Sequence, residues 1–185
     1  DPNMVVALPE IARYRALRGD LDGYQRELDR YLDATGREGN MASTMLEIRV
    51  ASWFRQLDRL DRLVAGLRSA AMETFSIGRV AELLVDRQAT VEAIRAMIDE
   101  VLESAPNPRF AALLRQLGAE LAGFHRFDAL AIHYVSESAR GVLVDLDWLD
   151  GCPLLAPLRE GPEWASEWTA ARQLVRARAE AIWAA

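Results

Sequence analysis

The sequence predicts an all-α fold: an array of about four helical hairpins closed by a C-terminal capping helix. Three observations carry this expectation. Apolar residues recur at i, i+3 and i+7 through most of the chain, the period of one helix face. No alternating apolar and polar run of useful strand length occurs. The best-formed stretch, Phe110 to Tyr134, reads as two antiparallel helices joined at Gly123 to Arg126. Leu114, Leu117 and Leu121 share a face of its first helix, and Phe127, Leu130 and Tyr134 form the matching face of its second. Gly118 sits beside the first face, where a missing side chain lets another helix approach. One such hairpin leaves a side uncovered, and a stacked neighbour would bury it, which is the logic of a helical repeat.

Taken in order, the first hairpin starts with Leu8, Ile11 and Ala12 and runs to about Leu17. Gly19-Asp20 breaks it, and Asp20 is placed to cap the next helix, whose stripe is Leu21, Tyr24, Leu28, Tyr31 and Leu32. That helix ends near Thr35-Gly36, and Arg37 to Asn40 form a loop. The second hairpin spans about Met41 to Met72, with Ser43 or Thr44 as cap and Glu47 near the end of a capping box. Leu46, Val50, Trp53, Phe54 and Leu57 are its first stripe; Leu60, Leu63, Val64, Leu67 and Ala70-Ala71 are its second. The break near Gln56 to Arg59 has no Gly or Pro, so one long bent helix competes there. The third hairpin, within 77–104, is the least regular. After Thr74 to Ser76 come Ile77, Val80, Ala81, Leu84 and Val85, then Val91, Ile94, Ile98, Val101 and Leu102, with Pro106 and Pro108 as a stop.

Beyond Arg140-Gly141 the pattern changes. Leu143 to Leu149 is short and apolar, and Gly151, Pro153, Pro157, Gly161 and Pro162 break the next stretch too often for a long helix. A last helix is expected from about Pro162 to Trp183, with Trp164, Trp168, Ala171, Val175 and Ile182 as its stripe. The expected organisation is one helical-repeat domain over 1–185, with hairpins in 5–140 and a capping segment in 141–185 that covers the open end of the fourth hairpin.

Composition narrows the function classes. Hydrophobic residues make up 51% of the 185 residues, enough for a core and too many for a disordered tail. Apolar runs are short and interrupted by charge, so no membrane span is expected. All 22 basic residues are Arg, which rules out Schiff-base lysine chemistry and a phosphate loop ending in Gly-Lys-Ser/Thr. A net charge of −6 disfavours nonspecific nucleic-acid binding. A single cysteine, Cys152, permits no internal disulfide. The start at Asp1-Pro2-Asn3 shows no secretory signal, and a cytoplasmic location is the expectation; the missing initiator Met points to a processed chain or a fragment.

No catalytic constellation stands out, and no cofactor or metal is expected. His133 and Glu137 lie at i, i+4 with His125 two turns earlier, but no metal-ligand motif accompanies them. Cys152 reads as a small buried residue in a capping turn. Asp145, Asp147 and Asp150 lack the glycine and terminal Glu of a calcium loop, so helix capping and solvation account for them. Asp58, Arg59, Asp61 and Arg62 read as a solvated helix face.

The second helices begin at Leu21, Leu60, Val91 and Phe127, intervals of 39, 31 and 36 residues. With Leu114, Leu117-Gly118, Leu121, Phe127, Leu130 and Tyr134, the fourth hairpin resembles a tetratricopeptide repeat, whose period is about 34 residues. The second hairpin matches at Val50-Ala51, Phe54, Leu63, Leu67 and Ala70, and the first and third match weakly. In the fourth, Leu130-Ala131 reverses a common Ala-Leu pair and Glu137 stands where a late Ala would fall. The resemblance implies a right-handed α-α superhelix whose first helices line a concave groove. Projected on this sequence, it places Arg13, Arg55, Arg79 and Arg115 on or at the edge of that groove, where guanidiniums could hold a peptide carboxylate or acidic side chains. Val144 to Leu149 and Cys152 to Arg159, with Trp164 as a closing aromatic, are similar to the helical-repeat C-terminal regions of large bacterial signalling proteins such as serine/threonine kinases, nucleotide cyclases and ATPase-type regulators. These resemblances imply a non-catalytic interaction module, the regulatory or scaffolding part of a larger protein. Its partner would be a protein or peptide, acidic if the arginines bind it, or another domain of the same polypeptide. The alternative is a ligand-sensing helical domain of a transcriptional regulator, which needs a closed apolar pocket.

Overall fold

The computed structural model describes residues 2–36, 40–69 and 76–184, without the side chains of residues 2–4, 69, 76 and 77. Eight helices come first: α1 (Pro2–Leu17), α2 (Leu21–Thr35), α3 (Met41–Trp53), α4 (Leu57–Ser69), α5 (Ser76–Val85), α6 (Val91–Glu103), α7 (Pro108–Phe124) and α8 (Asp128–Arg140). The closing segment holds α9 (Leu146–Gly151), a 3-10 turn (Pro153–Leu155), α10 (Ala156–Glu160), a second 3-10 turn (Pro162–Trp164) and α11 (Ala165–Trp183). Among the described residues there is no strand, so the all-α expectation holds.

Three of the four hairpins turn in the same way. Gly19, Arg55 and Arg126 take left-handed φ values of 78°, 51° and 63°. The amide of the next residue (Asp20, Gln56, Phe127) then donates to the carbonyl five positions back (Arg15, Ala51, Ala122) at 2.9, 2.8 and 2.9 Å. This is the Schellman closure of a helix C-terminus. The left-handed residues stand 36 and 71 positions apart. The break in the second hairpin therefore lies at Phe54 to Gln56, before the expected Gln56 to Arg59, and the single bent helix is excluded. Glycine takes this conformation without strain; Arg55 and Arg126 take it at a cost, because a Cβ crowds the following carbonyl. The third hairpin is the exception. Its helices are joined by residues 86–90, where Asp86 Oδ1 accepts from the Gln88 amide at 2.9 Å and Thr90 caps α6 through the Ala93 amide at 3.2 Å.

Helix starts follow side-chain caps. Asp20 accepts from the Gly23 amide at 2.8 Å, as expected. The cap of α3 is not Ser43 or Thr44 but Asn40, whose Oδ1 accepts from the Ser43 amide at 3.1 Å. The helix starts earlier than the sequence indicates, so both hydroxyls lie inside its first turn and donate back to the Asn40 carbonyl. Asn107 caps α7 at the Phe110 amide, 2.9 Å away, with Pro108 at the first helical position. The loop expected at Arg37 to Gly39, and Ala70 to Thr74 of the second and third hairpins, lie outside the described residues.

The first helices α1, α3, α5 and α7 touch one another in chain order, and α4 packs on α5 and α6 on α7. Gly118 does what its position suggests. A Cβ there would stand 3.0 Å from Tyr134 Cδ2 and 3.3 Å from Ile98 Cγ1, so α8 and α6 both close on it. One contact is not expected of a strictly sequential array: α7 also meets α3 directly. The chain curls tightly enough for the second and fourth hairpins to touch.

The closing segment covers more than the end of the fourth hairpin. Helix α11 packs on α8 as expected, but α9 also packs on α1, the first helix of the chain. Gly151 allows that approach, since a Cβ there would lie 3.1 Å from the Leu17 carbonyl oxygen. Trp148, Leu149, Leu155 and Leu158 of this segment are fully buried. Helix α11 overruns the body at its end. Ile182, expected on the buried stripe, is 59% exposed and Trp183 89%.

Candidate binding cleft

Three first helices enclose a cleft of about 170 Å³. Pro9, Glu10 and Arg13 come from α1, Ala42, Met45, Leu46 and Arg49 from α3, and Leu113 and Leu117 from α7. Local sequence explains each wall. On α7, Leu113 and Leu117 share a face with Glu120 and Phe124, at i, i+4, i+7 and i+11. Helix α3 has apolar or small residues nearly all round, because α1, α4, α5 and α7 surround it. An arginine on such a helix must be buried on some side.

That arginine is Arg49. Its Nε and Nη2 donate to the Glu120 carboxylate at 3.1 and 2.6 Å, and the two side chains are only 13% and 4% exposed. The indole Nε1 of Trp148, on α9, donates to the same carboxylate at 2.7 Å. The Arg49 guanidinium also lies over the Trp53 ring, 5.3 Å from its centroid. Burial alone would lower the Arg49 pKa; the Glu120 charge and hydrogen bonds outweigh it, and the net direction is upward. Four side chains from α3, α7 and α9 thus form one buried polar group below the cleft.

Arg13 stands at the edge. Its Nε donates to Glu10 at 2.8 Å, and Nη1 lies 2.8 Å from Asp145 Oδ2, an ion contact without hydrogen-bond geometry. Two guanidiniums therefore face three carboxylates: Glu10, Glu120 and Asp145.

The four arginines projected onto the groove go to different places. Arg13 lines the cleft. Arg55 reaches from its own turn to that of the fourth hairpin, where Nη1 donates to the Phe124 carbonyl at 3.0 Å and Nη2 approaches that of Gly123 at 3.4 Å. It caps α7 and lies 5.2 Å from the Phe124 ring centroid. Arg79 pairs with Glu100 of α6 through two bonds of 2.5 and 2.6 Å. Arg115 is half-buried on the α7 stripe of Ala112, Ala119 and Ala122, away from the cleft-lining Leu113 and Leu117. Projection by repeat position missed Arg49 and Glu120. A signal for Glu120 was present, a carboxylate on the apolar Leu113–Leu117–Phe124 face.

The remaining candidates resolve structurally. Cys152 is completely buried, and burial, with Glu120 nearby, pushes its thiol well above the ordinary range. A thiol held protonated is a poor nucleophile. His125 Nε2 lies 2.8 Å from the Leu83 carbonyl, and His133 is exposed beside Tyr134. Among the described residues, no group of three or more His, Cys, Asp or Glu side chains is arranged to hold a metal ion. The three acidic residues of the closing segment do more than cap and solvate. Asp145 caps α9 at the Trp148 amide, 2.9 Å away, and contacts Arg13. Asp147 pairs with Arg18 at 3.5 Å, and Asp150 with Arg172 through two bonds of 2.6 Å. No helix among the described residues is long and apolar enough to cross a membrane.

The chain matches no family model, no curated protein and no solved structure.

Proposed function

We propose that this chain is a non-catalytic protein-binding module, the regulatory or scaffolding part of a larger cytoplasmic bacterial signalling protein, and that it takes a peptide segment in the α1/α3/α7 cleft. The observation that carries the reading is the composition of that cleft. It is open, mainly apolar, and lined by the first helices of three hairpins, the surface through which a tetratricopeptide-like superhelix binds its partners. The repeated Schellman turns and the chain-order contacts of α1, α3, α5 and α7 support the superhelical part of the proposal. The buried thiol and the carboxylate-paired arginines beside the cleft leave no activated nucleophile there.

The ligand-sensing alternative needs an enclosed pocket, and small-molecule pockets usually span about 300–1,000 Å³. A cleft of about 170 Å³ suits one or two peptide side chains better. Leu113→Trp, which fills the cleft from a half-buried position, is the test. A protein retained from cell extract by the wild-type chain and lost with Leu113→Trp supports the module. Partners retained equally by both variants reject the cleft as the binding surface.

A further inference from the structure

We infer that Asp145 is a positioning residue for the cleft: it balances Arg13 from outside the lining, and so sets how strongly the cleft attracts a carboxylate. The inference rests on the reading of the cleft as a peptide groove and names the residue that controls its charge selectivity.

The lining carries two cations, Arg13 and Arg49, against one carboxylate, Glu10. What balances them lies elsewhere. Arg49 is held by Glu120, which also accepts from the Trp148 indole of the closing segment. Arg13 depends on the closing segment directly. Its Nε donates to Glu10, but the Glu10 side chain is 72% exposed, where water screens the charge. Its Nη1 is buried, makes no hydrogen bond and lies 2.8 Å from Oδ2 of Asp145, whose side chain is only 22% exposed. A buried guanidinium nitrogen without an acceptor needs a counter-charge, and Asp145 supplies it.

Asp145 is well fixed. Its other oxygen, Oδ1, accepts from the Trp148 amide at 2.9 Å and caps α9. Helix α9 is in turn seated on α1, by the Asp147 pair with Arg18 and by the close approach of Gly151 to the Leu17 carbonyl. The two carboxylate oxygens thus have separate duties, one as cap and one as counter-charge. A substitution can separate them, because Asn caps a helix as well as Asp does but carries no charge. No residue of the closing segment lines the cleft, yet through Asp145 the segment sets the charge at its edge.

Asp145→Asn is the test, with two probes: N-acetyl-leucine, which ends in a carboxylate, and N-acetyl-leucinamide, its uncharged counterpart. Each is titrated into the intact wild-type and variant chains while the Met45 methyl signal is followed by NMR. The expected result is a shift of relative affinity towards the carboxylate, about threefold or more, in Asp145→Asn. Cys152 should alkylate as slowly as in the wild-type chain, which shows that the closing segment keeps its place. Adding Arg13→Gln to Asp145→Asn should abolish the gain. An unchanged relative affinity, or a gain that survives Arg13→Gln, overturns the inference and leaves the groove reading standing. Faster alkylation of Cys152 in Asp145→Asn makes Asp145 a purely structural residue and overturns the inference too. A Met45 signal that neither probe moves in either chain overturns both.

Discussion

The hairpins and the closing segment achieve order by opposite means. In the hairpins, contacts are mostly between neighbours in sequence. Caps and Schellman turns act within a few residues, and three turns repeat one hydrogen-bond pattern. From 141 to 164 the chain has short helical pieces broken by Pro and Gly, none long enough to be stable alone. Its order comes from distant partners: Glu120 for Trp148, Arg13 for Asp145, Leu17 for Gly151. Order in the hairpin part is mostly local, whereas the closing segment depends on a few long-range contacts.

The largest break should come at the segment's centre. Trp148→Ala removes the largest fully buried side chain and one donor to Glu120, at an expected cost of about 3–5 kcal/mol in urea denaturation. The same variant should expose Cys152, whose raised pKa and burial make it slow to alkylate in the wild-type chain; faster alkylation under native conditions checks this. A Trp148→Ala thiol that stays as slow would show that the segment is held by other contacts.

Next is the buried pair. Glu120→Gln leaves Arg49 buried without its counter-charge, a loss of roughly 3–5 kcal/mol. Combining it with Arg49→Met should recover part of that loss, because the uncompensated buried charge is removed while the Glu120→Gln side chain can still accept from Trp148 Nε1. A double variant as unstable as the single would mean that the pair supplies net stability.

The turns offer a finer test. Arg126→Gly relieves a left-handed strain and should stabilise by about 1 kcal/mol or less, since glycine also gains freedom in the unfolded chain. Arg55→Gly relieves the same strain but removes the bonds to the Gly123 and Phe124 carbonyls and the ring contact. It should fall below Arg126→Gly by about 1–2 kcal/mol. Equal Tm shifts in the two variants would show that the cap contributes nothing.

The smallest effect is expected at Asp147→Asn. Its pair with Arg18 is exposed on both sides, 51% and 63%, so the change should stay within about 0.5 kcal/mol and vanish in high salt. A larger shift would make this exposed pair a real part of the closure.

Much of the array is legible in the sequence because its signals are local. The 3.6-residue period, Asp20 before its helix, and Gly118 opposite Tyr134 can all be read from neighbouring residues. Errors arise where two local signals compete. Asn40 outranks Ser43 as a cap because it starts the helix earlier, and an arginine takes the glycine-like position at Arg55. The cleft is half legible. Arg13, one of the four projected arginines, lines the cleft, while Arg49 is hidden by an all-round apolar helix, and Arg55 caps a neighbouring turn.

From the sequence alone come the helical class, the hairpins, the end of the hairpins near Gly141 and the faces that must be buried. These follow from backbone hydrogen bonding and periodicity, which act over a few residues. The tertiary structure decided which arginine meets which carboxylate, that α3 touches α7, and that α9 returns to α1. Those pairings join residues 71 to 134 positions apart, where curvature accumulated over several hairpins brings them within reach. No local spacing encodes that curvature, because it is the sum of many small packing angles between helices.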